Sequence, residues 1–383
     1  MNKSVYLLTV IAFIVGMVEL IIGGILDLVA IDLQVSIGKA GILITVFSLV
    51  YAIAAPILLI MSAKMERKKL TLITLVIFLF GNLLAALSPS YNLLMLARII
   101  TGASGSLLVV LCIVLASNIV ERKYVGRAVG LVIMGVSGSL VLGVPIGLML
   151  GNVYGWRAPF FLITSLTLLL IIAVKFAMIP IQPEKSVPLR QQLATLKSSK
   201  LSFAQMTTFF FLAGHITLYG FFTPFLKTEL GLNGTWVSIV YFIYGIAAVS
   251  GGGIGGTLTD RYGPKRVMVF FITIFALCMF TIPLTTFSFI LFIFVVIIWG
   301  ITSWTITPAM QTYLIDTSPE TASIQQSLNN SSLHFGIAFG SFVGSIAVEH
   351  VPIEVNSYIG GGFVLLALAS IIFSMTRPKL TNV

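Results

Sequence analysis

Charge is what this sequence has least of. Only 9% of its 383 residues are Asp, Glu, Lys or Arg, against 58% that are apolar, whereas soluble domains carry roughly 25% charged and 45–50% apolar residues. That balance excludes a soluble globular domain. Cysteine is nearly absent too: Cys112 and Cys278 fall inside apolar segments in opposite halves, which excludes a disulfide framework and leaves no cysteine cluster for a metal. There are three histidines, none in an H-E-x-x-H arrangement. With no P-loop and no G-x-S-x-G elbow either, ATP-driven transport and hydrolase chemistry lack their apparatus. No cofactor, no metal ion and no enzymatic activity are expected.

What is abundant is long apolar sequence. A bilayer core about 30 Å thick takes about 20 apolar residues per helical span. Such stretches recur near 5–27, 40–63, 70–87, 91–118, 127–151, 157–179, 203–226, 236–258, 266–284, 287–314, 324–348 and 357–375. They predict an all-α polytopic membrane protein of twelve transmembrane helices, since a helix satisfies its own backbone hydrogen bonds in lipid. The first run is too long for a signal-peptide core, lacks a small-residue cleavage pattern and is followed at once by further spans, so it is read as a retained first helix. The net charge of +10 would suit nucleic acid, but its location argues for topology instead. With the amino terminus in the cytoplasm, 18 of the 22 basic residues are cytoplasmic and only Lys39, Arg98, Arg157 and Lys227 lie elsewhere. The positive-inside rule then places both termini in the cytoplasm of a bacterial inner membrane. The bilayer is the expected partner, and nucleic acid is not.

The long polar stretch IQPEKSVPLRQQLATLKSSK, residues 181–200, splits the spans six and six. The expected organisation is an amino-terminal six-helix bundle over 1–180, a cytoplasmic linker over 181–202 and a pseudo-symmetric carboxy-terminal bundle over 203–383, with a binding site near the midplane. A register of +196 relates the halves: Lys64 falls on Asp260, Glu19 on His215, and the glycine-rich fifth span around Gly143 on the eleventh around Phe339 and Gly340.

After the eighth span the chain reads GGTLTDRYGPKR, residues 255–266. A glycine, an aspartate, a second glycine and a basic pair at this spacing resemble the cytoplasmic-loop signature of the major facilitator superfamily. Here Asp260 can bond Arg261, Lys265 or a neighbouring helix end and so latch one conformation, with Arg266 also in the gating segment. The first-half loop MSAKMERKK departs from the pattern, with Lys64 in place of the aspartate and Arg67 in place of the second glycine. An asymmetric gate is therefore expected. LARIITGASG (96–105), MGVSGSLVLGVPIG (134–147) and GWRAPF (155–160) resemble further signatures of the drug/proton antiporters of that superfamily, with Gly143, Pro145 and Gly147 in the gating segment. VGMVELIIGGIL (15–26), AGHITLYGFFTPFL (213–226), WGITSWTITPAMQTYLI (299–315) and SIQQSLNNSSLHFGIAFGS (323–341) are similar to the bacterial purine base and nucleoside efflux pumps. Asp27 departs from that likeness, which has proline at its place. The resemblance implies a monomer that exports a small molecule in exchange for protons, with another small amphipathic solute such as a drug, sugar or amino acid as the alternative to a purine.

A charged group at membrane depth costs at least about 2.5–3.5 kcal/mol on insertion scales and marks a functional candidate. Glu19 and Arg98 both lie about 10–12 Å below the outer surface at about 1.5 Å per residue, so they can meet. Either Glu19 carries the proton and alternates its pairing with Arg98, or the pair permanently organises the bundle. His215 either shares the proton or serves as a hydrogen-bonding cavity residue. For substrate contact the candidates are the aromatics Trp299, Trp304, Tyr219 and Tyr244, whose faces stack on planar heterocycles, and the polar groups Asn329, Asn330, Gln311 and His334. Asn329 and Asn330 share a face with Gln326, and each amide offers a donor and an acceptor. The run GGGIGG (251–256) fits G-x-G-x-x-G, yet no strand precedes it. Gly251 with Gly255, and Gly252 with Gly256, have instead the spacing for close helix packing.

Overall fold

The computed structural model describes residues 3–121, 124–178, 180–182 and 195–378, with the side chains of Lys3 and Ser323 also outside the description. Most of the expected linker therefore lies outside the described residues, as do Arg122, Lys123, Lys185, Arg190 and Lys379 of the basic residues assigned to the cytoplasm. Among the described residues there is no strand, and twelve helices are long and apolar enough to cross a membrane. In chain order the helices are α1 (Lys3–Gly24), α2 (Leu26–Asp32), α3 (Ile37–Met61), α4 (Arg67–Ala86), α5 (Tyr91–Asn118), α6 (Val125–Gly138), α7 (Val144–Tyr154) and α8 (Ala158–Ala177). The second half supplies α9 (Ser199–Tyr219), α10 (Phe222–Leu230), α11 (Gly234–Tyr262), α12 (Pro264–Thr281), α13 (Phe289–Thr317), α14 (Ala322–His350) and α15 (Val355–Thr376). α6 and α7 form one span joined by a π turn at Ser139–Gly143, just before Pro145. Pro145 lacks the N–H that would continue the α ladder there.

Two compact units account for the chain: Met1–Ser186 with Gly234–Phe242, and Val187–Asn233 with Ile243–Val383. In the first, Leu8, Ile11 and Val15 of α1 bury against Phe47 of α3, Phe78 of α4, Leu108 and Leu111 of α5, Val132 of α6 and Ile163 of α8. Within the second, Phe211 of α9 packs on Phe275 of α12, and Phe339 of α14 on Phe363 of α15.

The first and seventh spans are shorter than the sequence suggests. α1 stops at Gly24 and restarts as α2 after Ile25 (φ −107°, ψ 18°); α9 stops at Tyr219 and restarts as α10 after Phe221 (φ −117°, ψ 18°). Residue 25 plus 196 is 221, so the same interruption occurs at the same repeat position, an internal symmetry stronger than any matched side chain. Asp27 stands in the first turn of α2, where the helix dipole favours an anion and where proline is equally at home.

Glycine sets the closest helix contacts. A methyl group built on Gly135 would sit 2.3 Å from Thr9 O, and on Gly147 2.2 Å from Ile21 Cδ1, so the fifth span rides on α1. In the other half Gly336 and Gly340 of α14 stand equally close to Phe209 O and Ala213 O of α9. Gly251 and Gly255 press on Ile301 O and Thr305 O of α13, as expected of close packing, whereas Gly252 and Gly256 meet nothing within 4 Å. The second pair lies on another face of α11 and brings no helix in.

Candidate functional site

In the first unit, α1, α3 and α5 converge on a guanidinium. Arg98 is 1% exposed. It donates from Nη1 to Val18 O at 2.8 Å and from Nε to Leu43 O at 3.4 Å, and lies 3.9 Å over the Phe47 ring. Two main-chain carbonyls and a ring face thus hold it between α1 and α3, while its buried Nη2 has no hydrogen-bond partner among the described residues. Glu19 follows Val18 on α1, keeps part of its surface exposed, and interacts electrostatically with Arg98. The buried Tyr51 of α3 also feels the Glu19 charge. Its ring edge would lie 3.9 Å from a methyl group on Gly105, beside Val15, one turn from Glu19 on α1. Phe47 and Tyr51 escape a reading of the sequence, since nothing in an apolar run marks which ring faces an arginine.

In the second unit, α9, α11 and α13 build a cluster of rings. Trp299 has no exposed surface, and around it stand His215 at 5.4 Å (89° between planes), Tyr244 at 4.8 Å, Phe222 at 5.2 Å and Tyr219 at 6.1 Å between centroids. A hydrogen-bonded chain crosses the cluster: His215 Nε2 lies 2.9 Å from Tyr244 Oη, Tyr244 donates to Ser303 Oγ at 3.1 Å, and Ser303 donates to Gly300 O at 2.6 Å. Four of the candidates legible in the sequence, His215, Tyr219, Tyr244 and Trp299, are therefore brought together. Trp304 is not: five residues on, it is about 140° around the helix, half-buried and in no ring contact among the described residues. Gln311 and Asn330 are exposed, and His334 is buried on α14.

Asn329 is engaged in helix packing. Its Nδ2 donates to Gln205 Oε1 at 2.9 Å and Thr208 Oγ1 at 2.7 Å, while Gln205 in turn donates to Gln325 O and Oε1. The fully buried Gln325 donates onward to Thr195. Intramembrane amides are a known helix adhesive, and Gln205, which the sequence reading passes over, is legible on that ground.

The Major Facilitator Superfamily model matches residues 8–323 and again 201–383, the second match falling on the carboxy-terminal half. The uncharacterised MFS-type transporter YbcL of Bacillus subtilis is 35% identical over 377 residues, covering 98% of this chain and 97% of that one. The chain belongs to the Major Facilitator Superfamily. A probable sugar efflux transporter of Helicobacter pylori strain J99 is 24% identical across 98% of this chain and 96% of its own length. Among solved structures, a D-xylose-proton symporter has a TM-score of 0.81 at 14% identity, covering 98% of both chains. A bacterial homologue of the human lysosomal transporter Spinster, inward-facing and occupied, has a TM-score of 0.78 at 14% identity over 97% of this chain and 96% of its own. Both show the same fold.

The superfamily loop signature has a backbone reason here. Its second glycine, Gly263, adopts φ +81° and Pro264 opens α12 behind it, a conformation that side chains resist. Asp260, three residues before Gly263, is exposed and makes no hydrogen bond or ion pair among the described residues; Arg261, Lys265 and Arg266 are exposed as well. The expected latch is thus not formed in this structure, where the acid sits near the carboxy-terminal end of α11 facing solvent. In the first half, where Arg67 replaces the glycine, Glu66 takes over. It accepts from Lys68 N at 2.7 Å and Lys69 N at 2.9 Å, capping α4, and from Ile181 N at 2.9 Å, while Arg67 N returns a bond to Ile181 O. Burial raises the Glu66 carboxyl, but the bonds from Ile181, Lys68 and Lys69 outweigh it and hold the group below its ordinary range. Arg67, read in the sequence as a topology signal and a departure from the loop pattern, and Lys200, read only as a topology signal, are both buried. Lys200 donates to Arg377 O at 2.8 Å, closing the end of α15.

Proposed function

We propose that this protein is a proton-coupled exporter working by alternating access, with Glu19 as the proton carrier and a purine base or nucleoside as substrate. One observation supports the coupling most: Arg98 is anchored by Val18 O, Leu43 O and the Phe47 ring, so it stays in place whether or not Glu19 is ionised. A fixed cation beside a partly exposed carboxyl lets the carboxylate bind when unprotonated and leave when protonated, which a permanent structural pair would not do. For His215 we take the hydrogen-bonding role, since its Nε2 is engaged by Tyr244 among packed rings. Trp299, Tyr219 and Tyr244 supply the flat apolar walls suited to a heterocycle, with Asn330, Gln311, Trp304 and His334 as further contacts and Asn329 offering its carbonyl oxygen. In the gate, Gly143, Pro145 and Gly147 let the fifth span move on α1, and Asp260 latches to the basic residues of its loop in another conformation. The protein works as a monomer in the bacterial inner membrane, with both termini cytoplasmic.

A sugar is the second reading, supported by relatives described as probable sugar efflux transporters. Inside-out vesicles separate the two. Labelled adenine or guanosine should accumulate only under an acid-inside pH gradient and a labelled pentose should not. Accumulation of the pentose alone would establish the second reading, and accumulation of neither would remove both.

A further inference from the structure

The hydrogen-bond chain through the ring cluster has a direction, and the direction fixes a proton. Ser303 has one hydroxyl hydrogen and gives it to Gly300 O, one turn back on α13, at 2.6 Å. Its oxygen is thereby left to accept, and the hydrogen of Tyr244 goes to it at 3.1 Å. A phenol has a single hydrogen, so Tyr244 Oη can meet His215 Nε2, 2.9 Å away, only as acceptor. Nε2 must therefore carry the imidazole hydrogen. In the neutral ring the other nitrogen, Nδ1, is then a bare acceptor, and it makes no hydrogen bond among the described residues. His215 retains 8% of its surface exposed, whereas Trp299 has none.

We propose that Ser303, acting through Tyr244, sets the tautomer of His215 so that Nδ1 receives a hydrogen-bond donor of the substrate. The protein thereby selects solutes that carry an N–H or O–H on the edge they present. This rests on reading the ring cluster as part of the substrate site. Ser303 is a positioning residue, and Nδ1 is the contact. A polar group built to receive a donor rejects analogues that lack one, because it would otherwise be buried unpaired. Trp299 packs edge-on to the imidazole at 89° and holds the ring in the orientation that the relay requires.

The tautomer is measurable without knowing the substrate. In full-length protein labelled with ¹⁵N-histidine, the His215 signals, identified by their loss in H215Q, should show Nε2 protonated and Nδ1 bare. In Ser303→Ala the Tyr244 hydrogen is released to Nε2, and the pattern should reverse; Ser303→Thr should restore it. A protonated Nδ1 in the wild type, or no change in S303A, would overturn the assignment. Selectivity is the second arm. With 9-methyladenine and its N6,N6-dimethyl analogue, which has lost every donor, the wild type should favour the first by about tenfold or more in KM. That ratio should fall by about tenfold in both S303A and Tyr244→Phe; because bulk acts equally in all three proteins, an unchanged ratio in either variant contradicts the selectivity role. If the wild type moves neither compound, the purine reading fails, and the same comparison is made with a sugar and its deoxy analogue.

Discussion

Where α2 ends in the first unit, Asp32 Oδ2 accepts from Arg157 Nη1 at 2.7 Å and from the Trp156 indole at 2.9 Å. Arg157 also gives Nε and Nη2 to Ser88 O, and lies 4.3 Å over the Trp156 ring. One arginine thus ties the end of α2 to the turn before α5 and the start of α8. The Trp156 bond, and after it the Arg157 bond and charge, hold the Asp32 carboxyl below its usual range. A carboxyl lowered by folding adds stability above its unfolded pKa and loses it as pH falls through the folded one. Acid should therefore destabilise the wild type below about pH 4, the ordinary Asp value, while Asp32→Asn should lose less stability across that window when melting is followed in detergent, the remaining slope belonging to groups such as Glu66 that folding also holds low. Arg157→Ala should cost about 1–2 kcal/mol in the same measurement. The ion pair is half-exposed and contributes about 0–1 kcal/mol, the two bonds to Ser88 O supplying the rest. Residue by residue, the sequence announces what is rare in its setting: Glu19, Arg98 and His215 stand out in apolar runs. It carries no sign of Phe47, Ser303 or the Asp32 partnership, since a partner 125 residues away is chosen by the fold and leaves no local pattern.

At the scale of elements the sequence is more legible, because a span in lipid is dictated by length and apolarity alone. Its limits show at the interruptions. The breaks at Ile25 and Phe221 fall within continuous apolar runs, and neither carries a glycine or proline signal distinct from the many nearby. Glycine spacing is half-informative: four residues apart is compatible with packing, but Gly252 and Gly256 share the spacing of Gly251 and Gly255 without the contact. This yields a matched test within one unit. A methyl group on Gly340 would lie 2.1 Å from Ala213 O, so Gly340→Ala must separate α14 from α9 and should cost about 1–3 kcal/mol. Gly252→Ala meets open space and should be neutral or stabilising by a few tenths, as expected for replacing a helical glycine. Thermal unfolding of both variants in detergent, beside the wild type, measures the difference, and equal effects would show that close approach at glycine does not govern packing.

For the molecule as a whole, the two units place different chemistry at one repeat position. Glu19 of α1 stands beside a guanidinium anchored by two main-chain carbonyls, and His215 of α9 stands in a hydrogen-bonded chain among packed rings; in the function proposed above the first handles the proton and the second meets the solute. The most direct test of this account is Glu19→Gln in proteoliposomes, comparing accumulation driven by a pH gradient with exchange of labelled for unlabelled substrate at equal pH. The account predicts that driven accumulation falls to the level without a gradient while exchange persists, since a neutral amide can occupy the site but carry no proton. Driven accumulation at the wild-type rate would contradict it.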